Sequence, residues 1–365
     1  MIAQDVLQNS SAVINVDLNA IINNYQILSG RSSSADCAAV VKANAYGMGL
    51  EHVASAIFHN TKCKIFFVAN LKEAVALRSS IKDAIIYVFN GLFPDQIECY
   101  LDHNIRPVLN DLSQIKMWQG KAEPCAIHFD TGINRLGLSD QQTEQFLNSE
   151  TNLNLALILS HLIASDLPDD ADNKIQLNKF KKITDALPDV PASLCNSAGI
   201  YLGKDYHFNL LRPGIMLYGG NPRALALPQG IKPVFEIMGK ILQIRHLETG
   251  SSVGYNALWT AKKPSRIALI NVGYADGYLK LNDNRGLVFV CDQIVAVIGK
   301  VSMDMIAIDI TGHEFDKLMP EDEVELIGKN ITLEMASEVS TLGHYELLTS
   351  VRDRVYRNYK LEADT

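Results

Sequence analysis

Lys42 is the residue whose surroundings most clearly predict chemistry. It ends a short apolar run at residues 38–41 and is followed by small residues, Tyr46 and two glycines. A lysine is rarely buried without a partner or a function, and desolvation lowers the pKa of its amine. The neutral amine can attack a carbonyl carbon and form a Schiff base. Taken alone, this stretch is more often a strand that ends in a solvated lysine, so the other loops must decide.

Further polar loops follow other short apolar runs. Arg135 lies in one of them, residues 130–137 (DTGINRLG), and His161 ends another run. Two later runs are followed by residues 196–199 (NSAG) and 212–215 (RPGI). In barrels, the loops after the seventh and eighth strands commonly hold a phosphate with backbone N–H groups. A phosphate opposite a reactive lysine suggests pyridoxal phosphate, whose aldehyde forms the Schiff base.

The elements that position these loops alternate between strands and helices. Eight apolar runs, separated mostly by helical patterns, predict the α/β architecture of a TIM barrel. An open doubly wound sheet alternates in the same way, and the count of eight favours the barrel. The predicted strands are 38–41, 65–69, 84–89, 106–109, 126–129, 155–160, 193–195 and 208–211. The predicted helices include 71–78, 94–101, 111–118, 140–147 and 172–187.

A second domain is predicted after the turn and linker signals near residues 219–230. Helical patterns become scarce there, and strand patterns are separated by Gly, Asp and Asn turns. We therefore predict a barrel domain at residues 1–230 and a mostly β domain at residues 231–365, with an early strand at 12–16 that can pair with the second domain. The predicted strands of that domain are 234–245, 266–272, 287–290, 294–298, 305–310 and 323–327.

Composition and net charge argue against several classes of binding partner. The 365 residues carry a net charge of −8, which argues against nucleic acid and anionic membranes as partners. No apolar run approaches the length of a membrane span, and no secretory signal is visible. Six scattered cysteines indicate free thiols in a reducing compartment, and the nine histidines lack metal-ligand spacing. We expect a cytoplasmic protein without a metal site.

Several separated segments together resemble those of alanine racemases, which are fold-type III pyridoxal-phosphate enzymes. The resemblance covers nearly the whole chain, in the same order. The segments are 41–47 (VKANAYG), 130–137 (DTGINRLG), 196–198 (NSA), 212–219 (RPGIMLYG), 253–255 (VGY), 273–277 (GYADG) and 302–304 (SMD).

This resemblance implies an isomerase that interconverts L-alanine and D-alanine by two-base racemisation and supplies D-alanine for peptidoglycan. It implies a homodimer with shared active sites, in which the β domain contributes to the partner subunit's site. Lys42 would hold the cofactor as an aldimine and act as the base on the D-alanine face. Tyr255, contributed by the other subunit, would be the base on the L-alanine face, although tyrosine needs help because its reference pKa is about 10.

The resemblance also implies binding roles. Arg212 would meet the pyridine nitrogen and, since arginine keeps its proton, would weaken the ring as an electron sink. The register of a phosphate-binding tyrosine near the C-terminus stays open, with Tyr356 as the candidate. The implied cofactor-binding residues are Lys42, Tyr46, His161, Asn196, Ser197, Arg212, Gly214, Ile215 and Tyr356. The implied substrate-binding residues are Arg135, Tyr274 and Met303.

One position departs from the family pattern. Many members carry a lysine two residues before the aspartate of the DTGINRLG segment, and its carbamylated side chain helps to position the arginine. This chain has His128 there. Because histidine cannot carry a carbamate, we predict no carbamylated lysine here. A bound anion or a nearby carboxylate are the candidates for supporting Arg135.

Two alternative functions share part of the pattern. Amino-acid decarboxylases of the same architecture share the V-K-A-N phrase, but they carry a glycine-rich phosphate loop that this chain lacks. Non-enzymatic pyridoxal-phosphate carriers resemble the barrel alone, so the second domain argues against them. The preference for alanine over serine, the physiological direction and the strength of the dimer stay open.

Overall fold

The computed structural model describes residues 12–222 and 227–361. These residues divide into two compact units. Of the described residues, 20–222 and 227–232 form one unit, and 12–19 together with 233–361 form the other. No helix within the described ranges is both long enough and apolar enough to cross a bilayer.

The larger unit is a barrel of parallel strands, which confirms the predicted fold. Seven strands form a continuous sheet, and the last strand, Leu210–Leu211, pairs in parallel with Asp36–Cys37. On its other side the N–H of Arg212 donates to the carbonyl of Cys195 at 3.0 Å. The strands are Asp36–Cys37 continuing as Ala39–Val40, Ile65–Val68, Ile85–Val88, Arg106–Leu109, Cys125–His128, Leu155–Leu159, Ala192–Ser193 and Leu210–Leu211.

Helices follow most barrel strands, and polar caps set where several of them begin. The side chains of Asn70, Asp111 and Ser139 each accept a hydrogen bond from an N–H of the following first turn, which satisfies a donor that the helix leaves free. The α-helices of the unit are Leu50–Asn60, Leu71–Ser80, Ile97–Asp102, Leu112–Trp118, Asp140–Leu147 and Ala171–Ala186, preceded by Leu18–Ser29. Short 3-10 helices lie at Pro94–Gln96, Gly199–Tyr201, Lys204–Tyr206 and Ile215–Tyr218.

The smaller unit is mostly antiparallel β. Phe235–Leu247 pairs with Val13–Asp17, Glu323–Ile327 and Ser265–Ile270, and its register shifts between Ile241 and Gln243. Irregularities of this kind bend a strand, which lets one long strand serve several partners. The order in the sheet is Ser265–Ile270, Ile306–Asp309, Gln293–Ile298, Leu287–Val290, Glu323–Ile327, Phe235–Leu247, Val13–Asp17 and Tyr356–Lys360, with Ser252–Val253 and Trp259–Thr260 as a separate pair.

The end of this unit differs from the sequence prediction. Two helices, Leu333–Ser340 and His344–Ser350, and a final strand, Tyr356–Lys360, were not expected. Thr332 caps the first helix by accepting from the N–H of Met335. Both helices have eight residues or fewer, so neither offers enough turns for a helical period to stand out. The remaining 3-10 helices are Tyr255–Ala257, Lys280–Asn282 and His313–Phe315.

Candidate active site

Lys42 directly follows the first barrel strand and opens an unusual turn. Residues 43–46 have φ angles between 52° and 54°, so the chain makes one turn of left-handed helix, which ends at Gly47 with φ 83°. A left-handed conformation costs a non-glycine residue roughly 1–2 kcal/mol. Four such residues in succession persist only where the surroundings impose the geometry.

Side chains hold this turn in place. The two carboxylate oxygens of Glu73 accept from the N–H of Ala43 at 2.7 Å and of Ala69 at 2.8 Å. The Asn44 side-chain oxygen accepts from the N–H of Leu50 at 2.8 Å. Backbone hydrogen bonds from Ala45 to Val41 and from Gly47 to Ala43, both 2.9 Å, close the turn itself. Backbone and side-chain contacts together therefore fix the direction in which Lys42 leaves the strand.

The Lys42 amine lies 5.9 Å from the centroid of the Phe89 ring. Burial lowers the pKa of this amine below its usual value, and the positive charge of Arg135 lowers it further. Glu73 acts in the opposite direction and does not cancel the shift. The neutral, nucleophilic form of the lysine is thereby favoured.

A cradle of small groups lies beside Lys42, at the ends of the seventh and eighth strands. The Ser197 hydroxyl oxygen accepts from the N–H of Gly214 at 2.8 Å and of Met216 at 3.4 Å. A Cβ on Gly214 would lie 2.6 Å from the Tyr46 hydroxyl oxygen, so only glycine fits there. Tyr46 in turn stacks on Tyr218 at 4.7 Å. The hydroxyls of Ser197 and Tyr46 thus lie around Gly214, and since the Ser197 oxygen accepts from two N–H groups, its proton is left to donate to an anion.

Arg212 is the most buried cation of the site, with 2% of its surface exposed. Its guanidinium donates to the Ser193 hydroxyl and to the carbonyl of Ser160. Burial lowers the pKa of Arg212 to about 10, which still leaves it protonated at neutral pH. The side chain is a fixed positive charge held between the sixth and seventh strands.

His161 follows the sixth strand. The Gln176 side-chain amide donates to its carbonyl at 2.9 Å and to the Thr131 hydroxyl at 3.2 Å. Burial lowers the pKa of the His161 imidazole well below its usual value, and the charges of Arg212 and Arg135 add to the shift. The ring is therefore neutral at physiological pH and can act as a hydrogen-bond donor or acceptor, but not as a cation.

Arg135 lies in the loop after the fifth strand and is exposed. Asp130 shapes this loop by accepting from the N–H of Gly132 at 2.9 Å and of Asn134 at 3.2 Å. The loop closes where the N–H of Asp130 donates to the carbonyl of Leu138 at 2.9 Å. No described residue hydrogen-bonds the Arg135 guanidinium, which leaves its planar set of donors available for a carboxylate.

His128 ends the fifth strand and is 6% exposed. Its Nδ1 lies 3.1 Å from the Asn110 side-chain oxygen. Burial and the charge of Arg212 lower the pKa of His128 to about 3. A neutral histidine thus occupies the position at which the family pattern has a lysine.

The structure brings nine predicted site residues together at the carboxyl ends of the barrel strands: Lys42, Tyr46, Arg135, His161, Asn196, Ser197, Arg212, Gly214 and Ile215. The Asn196 side-chain oxygen accepts from the Ser165 hydroxyl at 2.8 Å and from the N–H of Gly199 at 2.9 Å. Asn196 therefore organises the loop after the seventh strand.

The other predicted residues belong to the smaller unit. Tyr255 is 69% exposed and Met303 is 52% exposed, both high values for large apolar side chains. Gly273 lies so close to the chain at Met303 that a Cβ would lie 2.3 Å from its carbonyl oxygen. The N–H of Tyr274 donates to the carbonyl of Ser302 at 3.0 Å. Two of the matched segments, 273–277 and 302–304, are thus joined.

An arginine ties the same two segments to the end of the chain. Arg354 donates to Asp276 at 2.6 Å and to Asp304 at 2.7 Å. The Asp276 side chain is 1% exposed, so Arg354 neutralises a buried carboxylate. Tyr356 lies two residues further on, half-buried, in the last strand and opposite Val13.

Several positioning residues were not predicted from the sequence: Asn110, Glu73, Tyr218 and Arg354. Asn110 has a recognisable signal, because a polar residue directly after a barrel strand lies at the active-site end. Glu73 lies within a helix and Tyr218 follows a recognised segment, so only the folded structure reveals what they contact.

Comparisons with known proteins agree with this geometry. The family model described as "Alanine racemase, N-terminal domain" matches residues 16–222, and "Alanine racemase, C-terminal domain" matches residues 234–359. A Rickettsia canadensis alanine racemase is 41% identical over 361 residues, covering 96% of this chain and 99% of the relative. A Rickettsia bellii alanine racemase is 42% identical, covering 88% and 80% respectively.

Solved structures show the same similarity. Alanine racemase from Bartonella henselae, solved with covalently bound pyridoxal phosphate, superposes with a TM-score of 0.90 at 35% identity and covers 96% of this chain and 99% of that one. The biosynthetic alanine racemase from Pseudomonas aeruginosa gives 0.86 at 30% identity, with the same coverage of both chains. The chain belongs to the alanine racemase family.

Proposed function

We propose that this protein is an amino-acid racemase that interconverts L-alanine and D-alanine with pyridoxal phosphate. The observation that carries the proposal is the desolvated Lys42 amine next to the cradle of Ser197, Gly214 and Tyr46. A neutral amine beside an anion site has the two features that an aldehyde bearing a phosphate requires. The named activity of the relatives supports the same conclusion.

The residues present fit this cofactor. Gly214 carries no side chain, so the Tyr46 hydroxyl approaches the backbone closely there. Because the Ser197 hydroxyl oxygen accepts from two backbone N–H groups, its own proton is left to donate to a phosphate, together with that of Tyr46. Ser197, Gly214, Ile215 and Tyr46 would hold that phosphate. When bound, pyridoxal phosphate withdraws electrons and acidifies the Cα–H of an attached amino acid.

Arg212 would meet the ring nitrogen of the cofactor. Because a guanidinium does not give up its proton, this contact limits how far electrons are drawn into the ring. That limitation favours return of the proton to Cα over side reactions. His161, neutral through burial, would pack against the ring as an uncharged support.

Two bases would then handle the Cα proton from opposite faces. Lys42 would serve the D-alanine face, since its lowered pKa gives it a neutral form that can take a proton. Tyr255 would serve the L-alanine face. Its high exposure within its own chain supports contribution to a second subunit's site, and so does the exposure of Met303. Met303 and Tyr274 would line the substrate entrance.

Arg135 would bind the substrate carboxylate. Its guanidinium is exposed and its loop is fixed by Asp130. A homodimer with shared sites, a cytoplasmic location and supply of D-alanine for peptidoglycan complete the proposal.

Solvent exchange tests the function directly. The protein loaded with pyridoxal phosphate and incubated in D₂O should introduce deuterium at Cα of both alanine enantiomers while it racemises them. Borohydride should fix the cofactor covalently, and peptide mapping should locate it on Lys42. Lys42→Ala should abolish both the deuterium incorporation and the attachment of the cofactor. Release of CO₂ without racemisation would indicate a decarboxylase, and cofactor binding without either reaction would indicate a carrier; each outcome would contradict the proposal.

A further inference from the structure

The position of His128 raises a question about its second ring nitrogen. His128 Nε2 is buried and has no hydrogen-bond partner among the described residues. Leaving a buried polar atom unpaired costs stability, so such an atom in a functional site points to a group that is not yet in place. Which kind of group depends on whether Nε2 carries a proton.

Asn110 determines the protonation of that ring. Both amide hydrogens of Asn110 are taken by backbone carbonyls, Phe89 at 2.9 Å and Val108 at 2.8 Å. The Asn110 amide cannot be flipped, because its oxygen would then face two carbonyl oxygens. Its oxygen therefore faces His128 Nδ1, at 3.1 Å, and Nδ1 must be the nitrogen that carries the proton.

It follows that Nε2 presents a lone pair. A second proton is disfavoured, since burial and the neighbouring arginines keep the pKa of His128 at about 3. The atom is a hydrogen-bond acceptor over the whole working range of pH. An acceptor repels a bound anion and attracts an N–H donor, so the anion considered from the sequence does not suit this atom.

The loop that carries Arg135 passes beside the His128 ring. A Cβ on Gly137 would lie 3.1 Å from both Cγ and Cδ2 of His128, and Cδ2 is bonded to Nε2. The N–H of Leu138 donates to the His128 carbonyl at 2.8 Å, so the loop returns to the residue from which it departs. Arg135 lies two residues before Gly137, and its charge contributes to the lowered pKa of His128.

We propose that His128 is a positioning residue whose Nε2 accepts a hydrogen bond from Arg135 in the loaded, substrate-bound enzyme. Asn110 fixes the tautomer, and neutral His128 fixes the guanidinium that binds the substrate carboxylate. This support needs neither a carbamate nor an ion. The role of Arg135 toward a carboxylate rests on the proposed function, whereas the tautomer of His128 does not.

Nuclear magnetic resonance measures the tautomer in the wild-type holoenzyme. With ¹⁵N-labelled histidine, the His128 ring, assigned by its loss in His128→Gln, should show protonated Nδ1 and unprotonated Nε2 from pH 5 to pH 9. Saturating alanine should shift the Nε2 signal in the direction of a hydrogen-bonded acceptor. A protonated Nε2, or an Nε2 signal unmoved by alanine, would overturn the proposal even if racemisation is normal.

A matched pair of variants tests the role in substrate binding. His128→Gln places an amide oxygen near the Nε2 position, whereas His128→Asn reaches only the Nδ1 position. The KM for alanine should rise about tenfold or more in His128→Asn and stay within about threefold of wild type in His128→Gln, with kcat changed less than KM in both. Equal KM values in the two variants, each shown by circular dichroism to be folded, would contradict the role.

Halide dependence separates this arrangement from an ion site. Replacing chloride by glutamate in the assay buffer should leave the KM of the wild-type enzyme unchanged. Crystals soaked in bromide should show no anomalous signal at His128. A bromide ion between His128 and Arg135 would refute the direct contact. If the wild type fails to racemise alanine at all, the proposed function fails, and the tautomer measurement still decides the state of His128.

Discussion

Lys42 and Tyr255 would both act as bases in the same reaction, but each would acquire its working environment in a different way. Lys42 becomes a base by losing solvent, which burial accomplishes within its own unit. Tyr255 is exposed in its own chain and would meet its working environment only at a second subunit. One base is therefore prepared by folding, and the other would be completed by association.

This difference gives a directional prediction. Tyr255→Phe should slow proton abstraction from L-alanine far more than from D-alanine, by about a hundredfold or more, because general-base catalysis contributes on that order. Loss of the α-deuterium from each labelled enantiomer in separate reactions measures the two rates. Tyr345→Phe, at another exposed tyrosine of the same unit and outside the proposed site, is the matched control. Equal losses in both directions would remove Tyr255 from the role of base.

Burial of neutral His128 also predicts how stability depends on pH. The unfolded chain binds a proton at this residue near pH 6.5, whereas the folded chain does so only near pH 3. The stabilisation is complete above pH 6.5 and is lost as the pH falls toward 3, at up to about 1.4 kcal/mol per pH unit for one group. Urea denaturation between pH 7.5 and 5 should therefore show a shallower pH slope in His128→Gln.

The left-handed turn after Lys42 is an element whose conformation could not be predicted from the sequence. The strand end and its lysine are visible in the sequence, and so is the convergence of several such ends. The handedness of residues 43–46 is not, because Ala-Asn-Ala-Tyr contains no glycine and its alanines favour an ordinary helix. Contacts from Glu73, distant in the chain, decide the conformation.

Glycine substitutions in this turn and in an ordinary helix should change the free energy of unfolding in opposite directions. Ala43 is exposed at φ 54°, so Ala43→Gly should relieve strain and raise the free energy of unfolding by a few tenths to about 1 kcal/mol. Ala76→Gly, inside the helix Leu71–Ser80, should lower it by about 0.5–1 kcal/mol. Denaturant titration measures both. A destabilising Ala43→Gly would mean that the turn carries no releasable strain.

The Arg354 contacts make a second prediction about elements. Arg354→Ala should destabilise the smaller unit by about 1–3 kcal/mol, because the buried Asp276 carboxylate loses its charged partner. Asp304→Asn removes only the contact to a carboxylate that is 54% exposed and should cost under about 1 kcal/mol. Thermal denaturation of the two variants compares them. Equal losses of stability in the two variants would mean that the contact with exposed Asp304 accounts for the whole effect.

For the whole molecule, the barrel and the β region could be predicted because strand count and helix frequency are local properties of a sequence. Contacts between residues that are distant in the sequence could not be predicted. The sequence around Asn110 does not reveal that both of its amide hydrogens are donated to carbonyls, and the sequence around Asp276 does not reveal that Arg354 binds it. The candidate site was therefore predicted as a set of reactive residues, while the groups that orient them required the structure.

Shared active sites in a homodimer predict complementation between inactive variants. Lys42→Ala and Tyr255→Phe homodimers should each be inactive toward L-alanine. Mixed, dissociated and reassociated, they should recover about a quarter of wild-type activity, because about half of the dimers are mixed and each of these has one intact site. Mixing Lys42→Ala with Lys42→Arg is the control and should recover nothing. Failure of the first mixture, with mixed dimers demonstrated, would place both bases in one chain.

The strand Val13–Asp17 lies between two strands that the ribosome makes much later. Its antiparallel neighbour, Phe235–Leu247, begins more than two hundred residues further on, and its parallel neighbour, Tyr356–Lys360, nearly at the end. At synthesis rates of about 5–20 residues per second, this strand waits roughly ten seconds or more for either partner. The continuous segment Ala20–Lys232 can fold in that interval, while Val13–Asp17 presents unpaired edges to other nascent chains.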